Sequence, residues 1–288
     1  MDFRRVKAIL LIVFLLLNAF LASQLWALRT AVSVYAEPES DQLANAKSAL
    51  LMDHVRVNAP IPVSPGPLAM LRTTPSRVSL QTYAGAVLPG QRPGAPRRVH
   101  GHLEVRTAAG TVTELGRGSF SVAFSTARRG PGRIPVRSTH FLADLKRWFS
   151  KHGYNFSEYG ILSSWSAHGV HEETFVQQYQ GYPLFGARLD AVVKGGWLVG
   201  FTQTVQSVRA VEPPRSVNAA ANALLSLASF LDRARINADN TIVDMRLGYY
   251  SGVVADTAWY LAPTWRIASR AGVFYVNAFT GEVGVGAQ

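Results

Sequence analysis

The chain has 288 residues, with 29 Lys and Arg against 18 Asp and Glu, a formal charge of +11 and no cysteine. That length fits one or two domains, and the missing thiol excludes disulfide staples, thiolate metal sites, lipoprotein anchoring and cysteine nucleophiles. Hydrophobic residues at 48% and charged residues at 16% exclude a disordered chain and argue for a packed core.

Residues 8–28 (AILLIVFLLLNAFLASQLWAL) carry no charge, and about 20 apolar residues at roughly 1.5 Å each match the hydrocarbon thickness of a bilayer. Arg4, Arg5 and Lys7 precede this run, whereas Arg29 is followed by Glu37, Glu39 and Asp41. The positive-inside rule therefore keeps residues 1–7 cytoplasmic and puts the rest of the chain outside. The competing reading is a signal peptide cleaved after Ala36, but the apolar run is longer than the usual h-region and the cut would fall well past its end. Asn18, Ala19, Ala22, Ser23 and Trp26 recur at helical spacing on one face, small or polar among Leu, Ile and Phe. In lipid, such a face lets another helix approach; a lone anchor with a tolerated Asn and an interfacial Trp accounts for it equally well.

Beyond the anchor, residues 41–57 read as a helix stopped by Pro60 and Pro62. Strands are expected at 68–73, 78–88, 98–107 and 119–125, separated by Pro/Gly/Arg loops at 89–96 and 128–135. The second loop is the expected break between subdomains. Ser138 or Thr139 caps a second helix whose Phe141, Leu142, Leu145, Trp148 and Phe149 share a face and which Gly153 stops. A strand at 174–179 precedes strands at 187–193 and 197–205, which flank the hairpin signal Lys194-Gly195-Gly196. Trp197, Val199, Phe201 and Val205 alternate with smaller or polar neighbours. Residues 216–236 form a third helix with Arg233 and Arg235 in its last turn, and strands follow at 242–250, 256–268, 272–278 and 282–285. Helix followed by antiparallel strands thus occurs three times.

The fold class is therefore α+β: an N-terminal transmembrane helix, then an extracytoplasmic region of antiparallel sheets each covered by helices, in two similar subdomains. The expected segments are a cytoplasmic N-terminus (1–7), the transmembrane helix (8–28), a juxtamembrane segment with a first α+β subdomain (29–137) and a second one (138–288).

The anchor and three C-terminal stretches carry a family likeness. Met1-Asp2-Phe3 with Lys7 and Phe14-Leu15-Leu16-Leu17-Asn18-Ala19-Phe20-Leu21 resembles an MDW...K anchor with an FLILDxFL core, Phe3 standing for Trp and Asn18 for Asp. Leu247-Gly248-Tyr249-Tyr250, then Leu261-Ala262-Pro263-Thr264-Trp265, then Tyr275-Val276-Asn277-Ala278 resemble LGYY, LAPTW and YFVNA stretches in the same order. Together they resemble the YycI family, membrane-anchored regulators that act with YycH on the cell-wall sensor histidine kinase YycG, also called WalK. The likeness covers the anchor and residues 172–285, and residues 60–137 are not matched. It implies a non-enzymatic, single-pass protein on the outer face of a Gram-positive plasma membrane. Its implied partners are a YycG/WalK-like kinase, a YycH-like protein and the plasma membrane, and the expected assembly is a hetero-oligomer or a homodimer. The Asn at position 18 puts any role of an intramembrane carboxylate in question.

No chemical motif competes with that reading. His100-Gly-His102 and His168-Gly-Val-His171-Glu172-Glu173 resemble metal ligands, yet His171-Glu172 lacks the second His of a zinc template, its place taken by Phe175. G-x-S-x-G, S-x-x-K and phosphate-loop signatures are missing from the sequence, so no catalytic residue, cofactor or metal is expected. Residues 89–137 hold 9 basic and 2 acidic side chains. There Arg97, Arg98, Arg128, Arg129 and Arg133 are candidates for contact with anionic lipid, wall polymer or an acidic partner, against the plainer reading of solvated loops. Arg outnumbers Lys 24 to 5, which coding composition produces as readily as phosphate recognition, so nucleic acid is not expected. The alternative function is a PepSY-like inhibitor or chaperone of a secreted peptidase, suggested by the C-terminal strands alone, and an extracytoplasmic hydrolase has only the histidines to support it.

Overall fold

The computed structural model describes residues 7, 11–24, 39–62, 65–88, 93–116, 118–125, 141–151, 158–234, 240–252, 258–270 and 272–286. Residues 11–24 form helix α1, and its side chains are exposed throughout. Among the described residues no helix is long and apolar enough to cross a membrane; the remainder of the predicted 8–28 span lies outside them.

The rest is a sheet-rich α+β fold. In chain order it comprises α2 (Glu39–Met52), β1 (Val55–Val57), β2 (Leu71–Pro75), α3 (Leu80–Val87), β3 (Arg97–Val99), β4 (His102–Thr107), β5 (Gly110–Gly116), β6 (Ser119–Phe124) and α4 (Phe141–Lys151). There follow β7 (Tyr159–Ala167), β8 (Val170–Tyr179), β9 (Tyr182–Lys194), β10 (Trp197–Thr204), β11 (Gln206–Ala210), α5 (Ala220–Ala234), β12 (Asn240–Tyr250), β13 (Trp259–Ser269), β14 (Gly272–Asn277) and β15 (Val283–Val285). The main path of the sheet runs β11-β2-β13-β12-β9-β10-β6-β5-β4-β3. Its ladders are antiparallel except where β12 meets β1 and β9.

Two large cores lie under helices. Leu80, Tyr83, Ala84 and Val87 of α3 and Leu145 and Phe149 of α4 pack on Val105, Val112, Phe120, Phe175, Leu189 and Phe201. Ala46 and Leu50 of α2 and Leu224, Leu227 and Leu231 of α5 pack on Met245, Trp265, Ile267 and Val276. Both cores draw residues from either side of the loop at 128–135.

Three expectations change. Where a strand is expected at 78–88 the chain forms helix α3 (Leu80–Val87): Ser79 accepts from the Thr82 amide at 3.2 Å, and the buried set Leu80, Tyr83, Ala84, Val87 falls at i, i+3, i+4, i+7. The first helix stops at Met52, because His54 takes φ +59° and Val55 to Val57 join β12 as a parallel strand. In β10 the register slips between Leu198 and Gly200, so Leu198 and Phe201 are both buried where simple alternation pairs Trp197, Val199 and Phe201.

The C-terminal motifs are a packing device. Trp265 is fully buried, and its indole N–H donates to Asn218 O at 2.9 Å, fixing the approach to α5. Pro263 sits where one flank of β13 changes partner from β2 to β14, a point at which a missing backbone donor breaks no ladder. Asn277 accepts from the Phe279 amide at 2.8 Å and the Thr280 amide at 3.2 Å, and Gly281 turns the chain at φ +75°. Gly248 is required by space: a Cβ there would collide with Pro183 O and come within 2.8 Å of the Phe185 ring.

Trp265→Phe leaves the Asn218 carbonyl unpaired and should cost about 1–3 kcal/mol, whereas Trp265→Ala should cost about 3–5 kcal/mol; urea unfolding followed by circular dichroism reads both. Burial pushes the Tyr249 phenol up to about 12, with nearby Tyr179 and Tyr182 adding to the rise. A phenol whose folded pKa exceeds the unfolded value of about 10 holds its proton longer in the native state, so stability falls from about pH 10 to pH 12. Tyr249→Phe should lose less stability than the native chain between urea titrations at about pH 9 and pH 11; equal losses would assign the alkaline sensitivity elsewhere.

Candidate functional site, a face of arginines and tyrosines

Along β12 and β13 the side chains alternate. Met245, Leu247, Trp265 and Ile267 turn toward α2 and α5; Asp244, Arg246, Tyr250, Thr264 and Arg266 are therefore placed on the opposite face. There Asp244 Oδ1 accepts from Arg246 Nε at 2.9 Å and Oδ2 accepts from Arg266 Nη1 at 2.9 Å, one carboxylate bridging two guanidinium groups. Arg246 also donates to Ile161 O at 2.6 Å, joining β12 to β7. On β9, Arg188 donates to Asp190 at 3.0 Å. Tyr250 and Tyr275 stack at 3.8 Å between ring centroids and 7° between planes, and Phe185 packs on Tyr275 at 5.8 Å. Burial raises the Tyr275 phenol pKa, against the opposing pull of Arg266 and Arg188.

Beside this stack a groove of about 320 Å³ is lined by Met70, Tyr250, Tyr260, Tyr275, Asn277 and Glu282, among others. Tyr260 is 57% exposed there. The arrangement suits recognition, because aromatic faces line an open groove on the side of the sheet that also carries the fixed guanidinium groups.

The sequence-derived candidates fare differently. On α1, Asn18 Nδ2 donates to Phe14 O at 2.9 Å and Ser23 Oγ to Phe20 O at 2.8 Å; Ala19 and Ala22 are exposed beside them, and Trp26 lies outside the described residues. Arg97 and Arg98 come together on β3, both exposed. Arg98 donates to Gly101 O at 3.1 Å, and Arg97 stands opposite Glu104 in register, whose carboxylate Arg106 holds at 3.1 Å. Arg128, Arg129 and Arg133 lie outside the described residues.

The histidine motifs resolve into hairpin chemistry. His100 and His168 open two-residue turns at φ +47° and +50°, each followed by a Gly at positive φ, the conformation of the tight turns that match strand twist. His171 hydrogen-bonds Ser166 on one ring nitrogen and Glu173 at 3.2 Å on the other. Glu173 is 1% exposed and also accepts from Ser164 at 2.6 Å. Ser164 faces Glu173, and Ser166 faces His171, across the β7–β8 ladder, so strand register alone assembles this chain of polar groups. Among the described residues no group of three or more His, Asp or Glu is placed to hold a metal ion.

No curated protein matches the chain. Among solved structures it is similar to an uncharacterized protein from Eubacterium rectale ATCC 33656, with a TM-score of 0.54 and 10% identity over 82% of this chain and 92% of that one; at that identity the likeness concerns the fold alone. The C-terminal domain of Bacillus megaterium YpeB aligns with a TM-score of 0.36 and 11% identity over 72% of this chain and 95% of that one. The model of the YycI protein family matches residues 38–279, taking in α2 to β14 and the three motifs that meet on β12, β13 and β14, and the chain therefore belongs to the YycI family.

Proposed function

We infer that the protein is a membrane-anchored, non-enzymatic regulator of a YycG-type sensor histidine kinase, with its bulk outside the plasma membrane and a YycH-like protein as its companion. The observation that carries this reading is the family match over residues 38–279; the YycI family is regulatory and is not a known enzyme family. The charge asymmetry around residues 8–28 supports an N-terminus held inside. Exposure of every described α1 side chain supports a helix that finishes its packing in lipid or against other helices. Because Asn18 and Ser23 already bond within their own helix, the small side chains Ala19 and Ala22 are where close helix approach depends most on shape.

A reporter fused after Gln288 should be active only outside the cytoplasm, and the mature protein should keep its N-terminus; recovery of a soluble form beginning near Glu37 would overturn the anchor. Replacing residues 8–28 with an unrelated apolar helix should abolish kinase regulation, read as transcription of the kinase's target genes, while the outer region stays folded and displayed. Ala19→Leu with Ala22→Leu should impair regulation strongly and Asn18→Leu only slightly, since interhelical hydrogen bonds in membranes average only about 0.6 kcal/mol. Full regulation by the anchor-swapped protein would reduce the helix to a tether.

A further inference from the structure

Across β13, β2 and β11, Tyr260, Arg72 and Arg209 are direct neighbours in the ladder, Tyr260 opposite Arg72 and Arg72 opposite Arg209. Two arginines facing each other across strands repel, and the pair Arg246 and Arg266 elsewhere on this side of the sheet brackets a carboxylate, Asp244. Among the described residues no carboxylate comes within ion-pair distance of Arg72 or Arg209, and Arg72 Nε is buried with no hydrogen-bond partner. A buried guanidinium N–H without an acceptor is costly, and the two facing positive charges have no counter-ion among the described residues, which marks the pair as a place for an anion. Tyr260, the ladder neighbour of Arg72, also lines the 320 Å³ groove, together with Asn277 and Glu282. That volume lies at the lower end of small-molecule pockets, about 300–1,000 Å³, too small for a folded partner. Glu282 repels a second anionic group and offers an acceptor to hydroxyls, while the tyrosine rings offer flat faces to the C–H side of a sugar ring.

We propose that this groove binds an anionic saccharide, its phosphate or carboxylate on Arg72 and Arg209 and its ring over Tyr260 with the hydroxyls toward Asn277 and Glu282. The site is independent of the anchor helix and of the kinase contact inferred above, so it can stand or fall without them.

The test is calorimetric titration of the full chain in detergent micelles with glucose 6-phosphate, glucuronate, inorganic phosphate and glucose. Each charged sugar should bind about tenfold or more tightly than glucose, the gain of one charge-assisted hydrogen bond; comparison of the two identifies phosphate or carboxylate as the preferred anion. Arg72→Gln with Arg209→Gln should remove that gain, and Tyr260→Ala should weaken glucose 6-phosphate while leaving inorganic phosphate unchanged. Should the double variant fail to fold, the Arg72 Nε–H resonance of the native chain provides the reading, shifting on addition of glucose 6-phosphate and not of glucose. Equal affinity for glucose and both charged sugars, or an unmoved Arg72 resonance, would overturn the proposal. So would a glutamate hexapeptide that binds more tightly than either sugar and displaces it, which would make the groove a peptide site.

Discussion

One strand joins the two halves of the sheet path and reaches every core. β9 runs for 13 residues, against a mean of about 5–6 for strands in globular proteins, and it contributes to every core. Leu189, Ala191 and Val193 lie under α3 and α4, Leu184 and Ala187 beside Tyr249, Phe185 against Leu162 and Val176, and Tyr182 against the core beneath α2 and α5. One half of the sheet reaches the other through the parallel contact of Tyr249 with Leu184. That contact exists because Gly248 has no side chain to strike Pro183 and Phe185. The glycine of the family stretch is thus a spacing requirement between two halves of a sheet.

The same junction sets up the arginine and tyrosine face. Partly buried ion pairs contribute little net stability, since desolvation offsets much of the Coulomb attraction. A carboxylate shared by two arginines, one of them nearly buried with its side chain 11% exposed, is therefore poorly explained as a stabilising device. It holds two guanidinium groups in fixed positions on the face that carries the stacked tyrosines, and such preorganisation is what recognition requires. Family membership places the chain among regulators, and this face gives its folded region a recognition chemistry of its own.

The C-terminal half was the more legible in sequence because its signals were strong and local. Gly195-Gly196 turned where expected, the apolar period of α5 was unbroken, and Trp265 and Asn277 took the core and turn roles their types suggest. Residues 78–88 misled because Val78, Leu80, Thr82 and Tyr83 favour strands and Gly85 interrupts a helix, although Ser79 and the spacing of the four buried residues carried the helical signal. Strands β5 and β7 give a weak sequence signal because Thr, Ser and Gly are frequent in them, and β11 because it is a short, polar-flanked run (QSVRA); in all three, pairing decides the state. The basic stretch drew attention to Arg97 and Arg98 because sequence shows density of charge. Arg72, Arg188, Arg209, Arg246 and Arg266 are dispersed along five strands, and only the ladder brings them to one side. Asp244 and Arg246, two apart in an apolar strand, were the available hint.

Hydrogen exchange on the full chain with Gly248→Ala tests the central role of the β9 junction. A methyl group there should force β12 from β9, lowering protection together in β12 and β13 on one side and in β8 and β10 on the other, because both halves depend on the same strand. Loss of protection confined to β12–β15, with β8 and β10 exchanging as in the native chain, would show that the halves are independently stable and that β9 does not unite them.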